Sequence, residues 1–320
     1  MGEGDFGKSP YPQNTMKLTS VTARKRLEKL KPLILGSSLA AARAAQETVG
    51  ELMSLPHRRE ERFEKIVFPD FTCGLVTPET VSDPEAAILY LHGGGFVAGG
   101  LDYARGFGSL LAAETGLRVF FPAYRLAPEH PYPAALKDVL TTYRYLTKHL
   151  TISPEKLILC GESAGGGLAY SLCLMQKRMG KSLPCGIIAI SPWTDLTMSG
   201  TSYEANKEVD PSMTRERLQY FADCYGGDPH DPLVSPLRGD PTGFPPSLIL
   251  SGGDEVMLSD AADLNERLLQ AGCLSEHRVK EGLWHAYPLY DLADQRDDFD
   301  RIRGFVKELL HETESTMDEA

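Results

Sequence analysis

The sequence lacks any unbroken apolar run of 18 residues, so no stretch of it predicts a membrane-spanning helix. It also lacks a basic excess: 33 Lys and Arg stand against 44 Asp and Glu, a net charge of −11. An acidic surface repels phosphates and anionic headgroups, which argues against nucleic acid and stable membrane insertion. The partner that remains is a neutral or weakly charged small molecule. No Cys-x-x-Cys pair occurs among the six cysteines, Cys73, Cys160, Cys173, Cys185, Cys224 and Cys273. Several sit inside apolar runs, the pattern of buried, reduced thiols in a cytoplasmic enzyme rather than a disulfide frame. The opening MGEGDFGKSP has no basic region followed by an apolar one, so no signal peptide is expected. Phe6 stands where a myristoylation motif needs Ser or Thr. There is no internal repeat and no low-complexity tract.

What is present is a chain of 320 residues, 42% apolar. That is enough for one large domain, or one with an appendage, folding without metal or disulfide. Residues 1–15, rich in Gly, Pro and charge, predict a mobile start. Residues 19–55 predict two helices separated at Pro32. The second is apolar enough to need a surface to lie on. Alternation then predicts strands at 61–68 and 71–76, antiparallel about a Pro69-Asp70 turn. Beyond them apolar strands at 86–91, 117–122, 156–160, 185–190, 248–252 and 275–280 alternate with helices at 102–115, 133–149, 164–180, 259–271 and 294–312. Continuous apolar strands between amphipathic helices indicate a mainly parallel sheet covered on both faces. The proline-rich interval 191–246 breaks the rhythm, with one helical piece near 214–224. A long insertion of this kind is functional more often than idle, and it should lie over the C-terminal strand ends.

The strongest chemical signal is Gly161-Glu162-Ser163-Ala164-Gly165, after the strand KLILC and before a helix. In that context G-x-S-x-G is a sharp turn that exposes a nucleophilic hydroxyl above the sheet. Side chains at the two glycines would collide with neighbouring strand and helix. The second signal is His92-Gly93-Gly94-Gly95-Phe96, directly after the strand AAILYL. Acyl transfer needs backbone N–H groups aimed at a developing oxyanion, and a glycine run lets the backbone approach. Gly93, Gly94 and Ala164 are the expected donors. Gly93, Gly95 and Ala98 also match a dinucleotide loop loosely, but the next strand ends in Phe121-Pro122-Ala123-Tyr124-Arg125 without the acid such a loop requires. Gly161 to Gly166 has phosphate-loop spacing, with Gly167 where Lys is needed.

The general base should come late, in a loop after the last strand. His285 does; His277 lies inside a strand-like run and reads as structural. His92 reads as a brace for the glycine loop, and His57, His149, His230 and His311 as surface residues. The acid should follow the strand LILSG, where Asp254 and Glu255 compete. Either could hold the imidazole in the right tautomer.

Together HGGGF at 92–96, YRLAPEHPYPAAL at 124–136, GESAGGGLA at 161–169, SPWTDLT at 191–197, DPLVSPL at 231–237 and GLWHAY at 282–287 resemble the hormone-sensitive-lipase-like esterases. The resemblance covers about residues 86–290. It implies an α/β-hydrolase fold: a mainly parallel eight-stranded sheet, helices on both faces and a helical cap. It divides the chain into cap helices at 1–55 and a catalytic domain at 56–320, with a cap insertion at about 195–230. It further implies a serine–acid–histidine triad, hydrolysis of short- to medium-chain acyl esters without cofactor or metal, and allows a homodimer through sheet edges. Two departures stand out. Glu162 replaces the family's frequent Asp, and the family's D-P-L-x-D-E run is here Asp254-Glu255-Val256-Met257-Leu258-Ser259-Asp260. Gapless alignment from Pro245-Pro246, and counting back from His285, both place the acid at Glu255, with Asp254 as the alternate. Asp260 should cap the following helix or contact a neighbouring loop. Tyr124, Arg125, Glu129 and Asp195 read as partners in loop-holding hydrogen bonds. An amidase or deacetylase would use the same machinery. A non-catalytic binding member would lose a triad residue, and a dehydratase would alter Ser163.

Overall fold

The computed structural model describes residues 18–317. Two helices come first, α1 (Ser20–Gly36) and α2 (Leu39–Ser54). Their boundary is not at Pro32, which lies inside α1. A proline near the end of a helix forfeits one backbone bond and does not stop it. The break falls at Ser37, whose backbone turns extended, and Ser38, whose side chain accepts the Ala41 N–H and starts α2. The expectation for residues 1–15 lies outside the described residues.

Eight strands follow: β1 (Glu61–Val67), β2 (Thr72–Pro78), β3 (Ala87–Leu91), β4 (Arg118–Ala123), β5 (Leu157–Glu162), β6 (Gly186–Ile190), β7 (Ser247–Gly252) and β8 (Ser275–Lys280). They form one sheet in the order β1-β2-β4-β3-β5-β6-β7-β8. β1 and β2 pair antiparallel, as does β2 with β4; every other pairing is parallel. Charge marks both edges, ERFEKIV and SEHRVK, which discourages further pairing.

Between the strands run α3 (Leu101–Thr115), α4 (Ala134–Lys148), α5 (Ala164–Arg178), α6 (Ser202–Ala205), α7 (Arg215–Tyr225) and α8 (Leu258–Gln270), with α9 (Arg296–Met317) last. The strand period of two splits the core into two layers. Leu89, Leu91 and Leu159 face Leu136, Val139, Leu168 and Leu264 on α4, α5 and α8. Ile88, Tyr90, Ile158 and Ile188 face Phe107, Leu111, Ile302 and Phe305 on α3 and α9. Each fully buried Leu or Ile contributes about 1.5–3 kcal/mol, so the two layers fix the strand ends firmly. A third, small cluster joins Ala23 and Leu27 of α1 to Leu283, Trp284, Tyr287 and Leu292. All six cysteines are free, and Cys73, Cys160, Cys173 and Cys273 are buried.

Candidate active site

Ser163 stands between β5 and α5, at φ 55° and ψ −124°. That backbone region is sparsely populated for a residue with a Cβ and costs about 1–3 kcal/mol. Neighbouring bonds impose it: Ser163 N–H donates to Ile190 O at 2.9 Å, and Trp193 N–H donates to Ser163 O at 2.9 Å. The glycines beside it have no room to change. A Cβ on Gly161 would meet Gly165 O at 2.4 Å, and one on Gly165 would meet Leu91 O at 2.0 Å. The turn therefore presses the serine against the end of β3, where the glycine loop begins.

In that loop His92 stacks on Tyr124 at 4.1 Å, and its Nδ1 bonds Gly93 O at 2.8 Å. Burial pushes the ring's pKa down to about 4, so His92 is a neutral brace. Tyr124 donates to His92 O at 2.8 Å. One expectation fails here. The Gly93 N–H is not free for an oxyanion, because it donates to Glu162 Oε1 at 2.6 Å. Gly94 and Gly95, both at positive φ, donate to no acceptor among the described residues, and neither does Ala164, the first residue of α5. The free donors are thus shifted by one residue along the loop. α7 lies over them: a Cβ on Gly95 would meet the Phe221 ring at 2.3 Å, and Phe96 stacks on Tyr225 at 3.8 Å. On the outside, Arg43 of α2 donates to Val97 O at 2.6 Å and pairs with Glu129.

Glu162 stands out in the sequence only as a replacement for Asp, and its buried hydrogen-bonding role is not legible there. Its carboxyl is fully buried and takes Tyr103 Oη at 2.9 Å on Oε1 and Tyr90 Oη at 2.6 Å on Oε2. Burial raises its pKa to about 7, against the pull of these bonds and of nearby His285. Asp260, buried between the Thr194 and Asp195 N–H groups and the Tyr203 hydroxyl, is raised by burial to about 8. A folded pKa above the unfolded one stabilises most below the unfolded value and loses that stability as pH rises through the folded value. For Glu162 this is on the order of 3 kcal/mol between acid pH and pH 8. Gln can accept from Gly93 and donate to Tyr90 without ionising. Glu162→Gln should therefore show a flatter fall in stability from pH 5 to 8 in urea melts. Parallel pH curves for mutant and wild type would refute the assignment.

The loops that carry the expected acid and base meet at the ends of β7 and β8. His285 Nδ1 lies 2.9 Å from Glu255 Oε2, and both side chains are buried. Asp254 turns away and accepts Arg24 Nη1 at 2.6 Å. The backbones are in close register: a Cβ on Gly252 would meet Leu283 O at 2.5 Å. The His285 loop is tied toward the Ser163 turn by Ala286 N–H donating to Ser191 Oγ at 2.9 Å. His277 bonds Ser251 Oγ at 3.0 Å within the sheet. Asp260 contacts the 194–195 loop, the second of its two expected roles. Arg125 pairs with Asp138 at 2.7 Å, and Asp195 accepts from Thr197, Ser199 and Arg238. His57 is buried, contrary to its reading as a surface residue. Asp210, also unforeseen, accepts the Val256 N–H at 2.9 Å and so ties the 191–246 insertion to the acid loop. Nothing in its local sequence marks it, whereas Glu162 sits inside the motif itself.

Comparison with known proteins gives a consistent result. A family model described as the alpha/beta hydrolase fold matches residues 88–289. An acetyl-hydrolase of Streptomyces hygroscopicus is 35% identical over 241 residues, 72% of this chain and 80% of the relative. An esterase of Acinetobacter venetianus is 35% identical over 207 residues, 64% of this chain and 68% of the relative. The crystal structure of an esterase from the bacterial hormone-sensitive lipase family superposes with TM-score 0.83 at 31% identity, covering 90% of this chain and 98% of the other. A structure of EstE5 soaked with p-nitrophenyl butyrate superposes with TM-score 0.84 at 29% identity, covering 91% and 98%.

Proposed function

Because the chain belongs to the hormone-sensitive-lipase-like esterases of the α/β-hydrolase fold, and is a serine carboxylesterase, we propose that it cleaves short- to medium-chain acyl esters through an acyl-enzyme on Ser163. The observation that carries this reading is the 2.9 Å contact between His285 Nδ1 and Glu255 Oε2. With Nδ1–H held by the carboxylate, Nε2 is left as the acceptor for the serine proton. Ser163 Oγ attacks the ester carbonyl while His285 takes its proton. The oxyanion is met by the N–H groups of Gly94, Gly95 and Ala164, each contributing roughly 3–4 kcal/mol. The imidazolium then protonates the leaving alcohol. Water, deprotonated by the same ring, releases the acid and restores Ser163.

α1, α2 and the stretch 195–230 serve as the cap, a role supported by the seating of Phe221 on Gly95. The relative named acetyl-hydrolase and the butyrate ester soaked into EstE5 support a small acyl group. The buried free thiols support a reducing compartment. The test is a p-nitrophenyl ester series from acetate to palmitate, with rapid-quench mass analysis of the peptide bearing Ser163. Turnover should be greatest on short and medium chains, with the acyl mass on that peptide alone. An acyl group found on another residue, or a preference for palmitate, sinks this reading.

A further inference from the structure

The first half of helix α1 is bound to the loops that carry His285 and Glu255. Ala23 and Leu27 are buried against Leu283 and Trp284, the two residues before His285. Between them Arg24 uses all three guanidinium nitrogens. Nη1 donates to Asp254 Oδ2 at 2.6 Å and to Gly282 O at 2.9 Å. Nη2 donates to Val209 O at 2.7 Å, and Nε to Glu28 Oε1 at 3.0 Å. Asp254 is the neighbour of Glu255, and Gly282 lies three residues before His285. One side chain thus joins the acid loop, the base loop and the 191–246 insertion. Between the first two loops the backbone contributes Gly253 N–H to Lys280 O at 2.8 Å and Asp254 N–H to Leu283 O at 2.9 Å.

From this geometry we infer that Arg24 is a positioning residue, which sets the spacing between Glu255 and His285 from a helix that does not itself touch the reacting atoms. The inference rests on the triad reading given above. A planar guanidinium can bond a carboxylate and two carbonyls at once; an ammonium has neither that fork nor that reach. Without it, Asp254 and Gly282 lose their common donor, and the two loops are joined only by those backbone bonds, by packing and by the Glu255–His285 contact whose geometry is at stake. A small misplacement of a base relative to its acid is costly even when the fold survives, up to roughly 100-fold in rate. The Arg24 side chain is about a quarter exposed, so a small cation can enter the space that its removal leaves.

The test compares wild type, Arg24→Ala and Arg24→Lys on p-nitrophenyl acetate, with Ser163→Ala and His285→Ala beside them. Arg24→Ala should lower kcat roughly 10–100-fold with KM within about twofold. Its melting temperature should stay near that of wild type. Millimolar guanidinium should restore part of kcat, ammonium should not, and Arg24→Lys should fall between the two. Wild-type kcat in Arg24→Ala overturns the inference. So does a loss that guanidinium and Lys both fail to repair, since that marks a helix that only holds the fold. Activity surviving in Ser163→Ala or His285→Ala strikes the triad reading instead, whatever Arg24 does.

Discussion

Ser163→Ala should lower kcat by roughly 10⁶-fold while leaving the protein as stable as before. The loss follows from the proposed chemistry: residues 161–165 hold no other hydroxyl, so the proposed covalent route closes. The unchanged stability follows from geometry. Alanine keeps the Cβ, and with it the strain of φ 55° that the bonds to Ile190 and Trp193 impose. Ser163→Gly separates the two effects. Glycine adopts that backbone without penalty, so this variant should be equally inactive yet more stable by about 1 kcal/mol, after its greater unfolded-state entropy is set against the relieved strain. Ester turnover on purified protein and urea melts at one pH check both. Retention of substantial activity in Ser163→Ala would place the nucleophile elsewhere. A less stable glycine variant would mean that the turn stores no strain.

The strained turn at Ser163 was legible because its constraints are local. Gly161, Ser163 and Gly165 lie within five residues, and strand, turn and helix all follow from adjacent sequence. The strands β3 to β7 were legible for a similar reason, being apolar runs too short for helices. The free N–H groups of the glycine loop were legible only to within one residue. Which glycine of His92-Gly93-Gly94-Gly95 turns its N–H to the site depends on Glu162, 69 residues beyond Gly93, claiming the first of them. The helix boundary at Ser37 was missed because Pro32 is a strong local signal. It was overridden by the better cap at Ser38. Arg24 and Asp210 were illegible because their partners are 230 and 46 residues away, and no periodicity reports such pairs.

Glu255→Ala should lower kcat on the order of 10⁴-fold, whereas Asp254→Asn should cost less than about tenfold, the two separating by some three orders of magnitude. Sequence alone set these neighbours side by side as candidates for one role. Their surroundings differ. Glu255 is fully buried with Oε2 at 2.9 Å from His285 Nδ1. In the proposed mechanism it orients the ring and balances the charge that the ring gains in the transition state. Asp254 is about a quarter exposed and pairs with Arg24, not with the imidazole. Asparagine at 254 still offers a carbonyl oxygen to that guanidinium, so the bond weakens without vanishing. Glu255→Gln should fall between the alanine variant and wild type. Oε1 of Glu255 has no partner among the described residues to fix the amide's orientation, so its carbonyl can turn to the ring and keep the tautomer while losing the charge. Steady-state kinetics on p-nitrophenyl acetate reads all three variants. A larger loss in Asp254→Asn than in Glu255→Ala would exchange their roles, and would require the acid loop to shift by a residue when substrate binds.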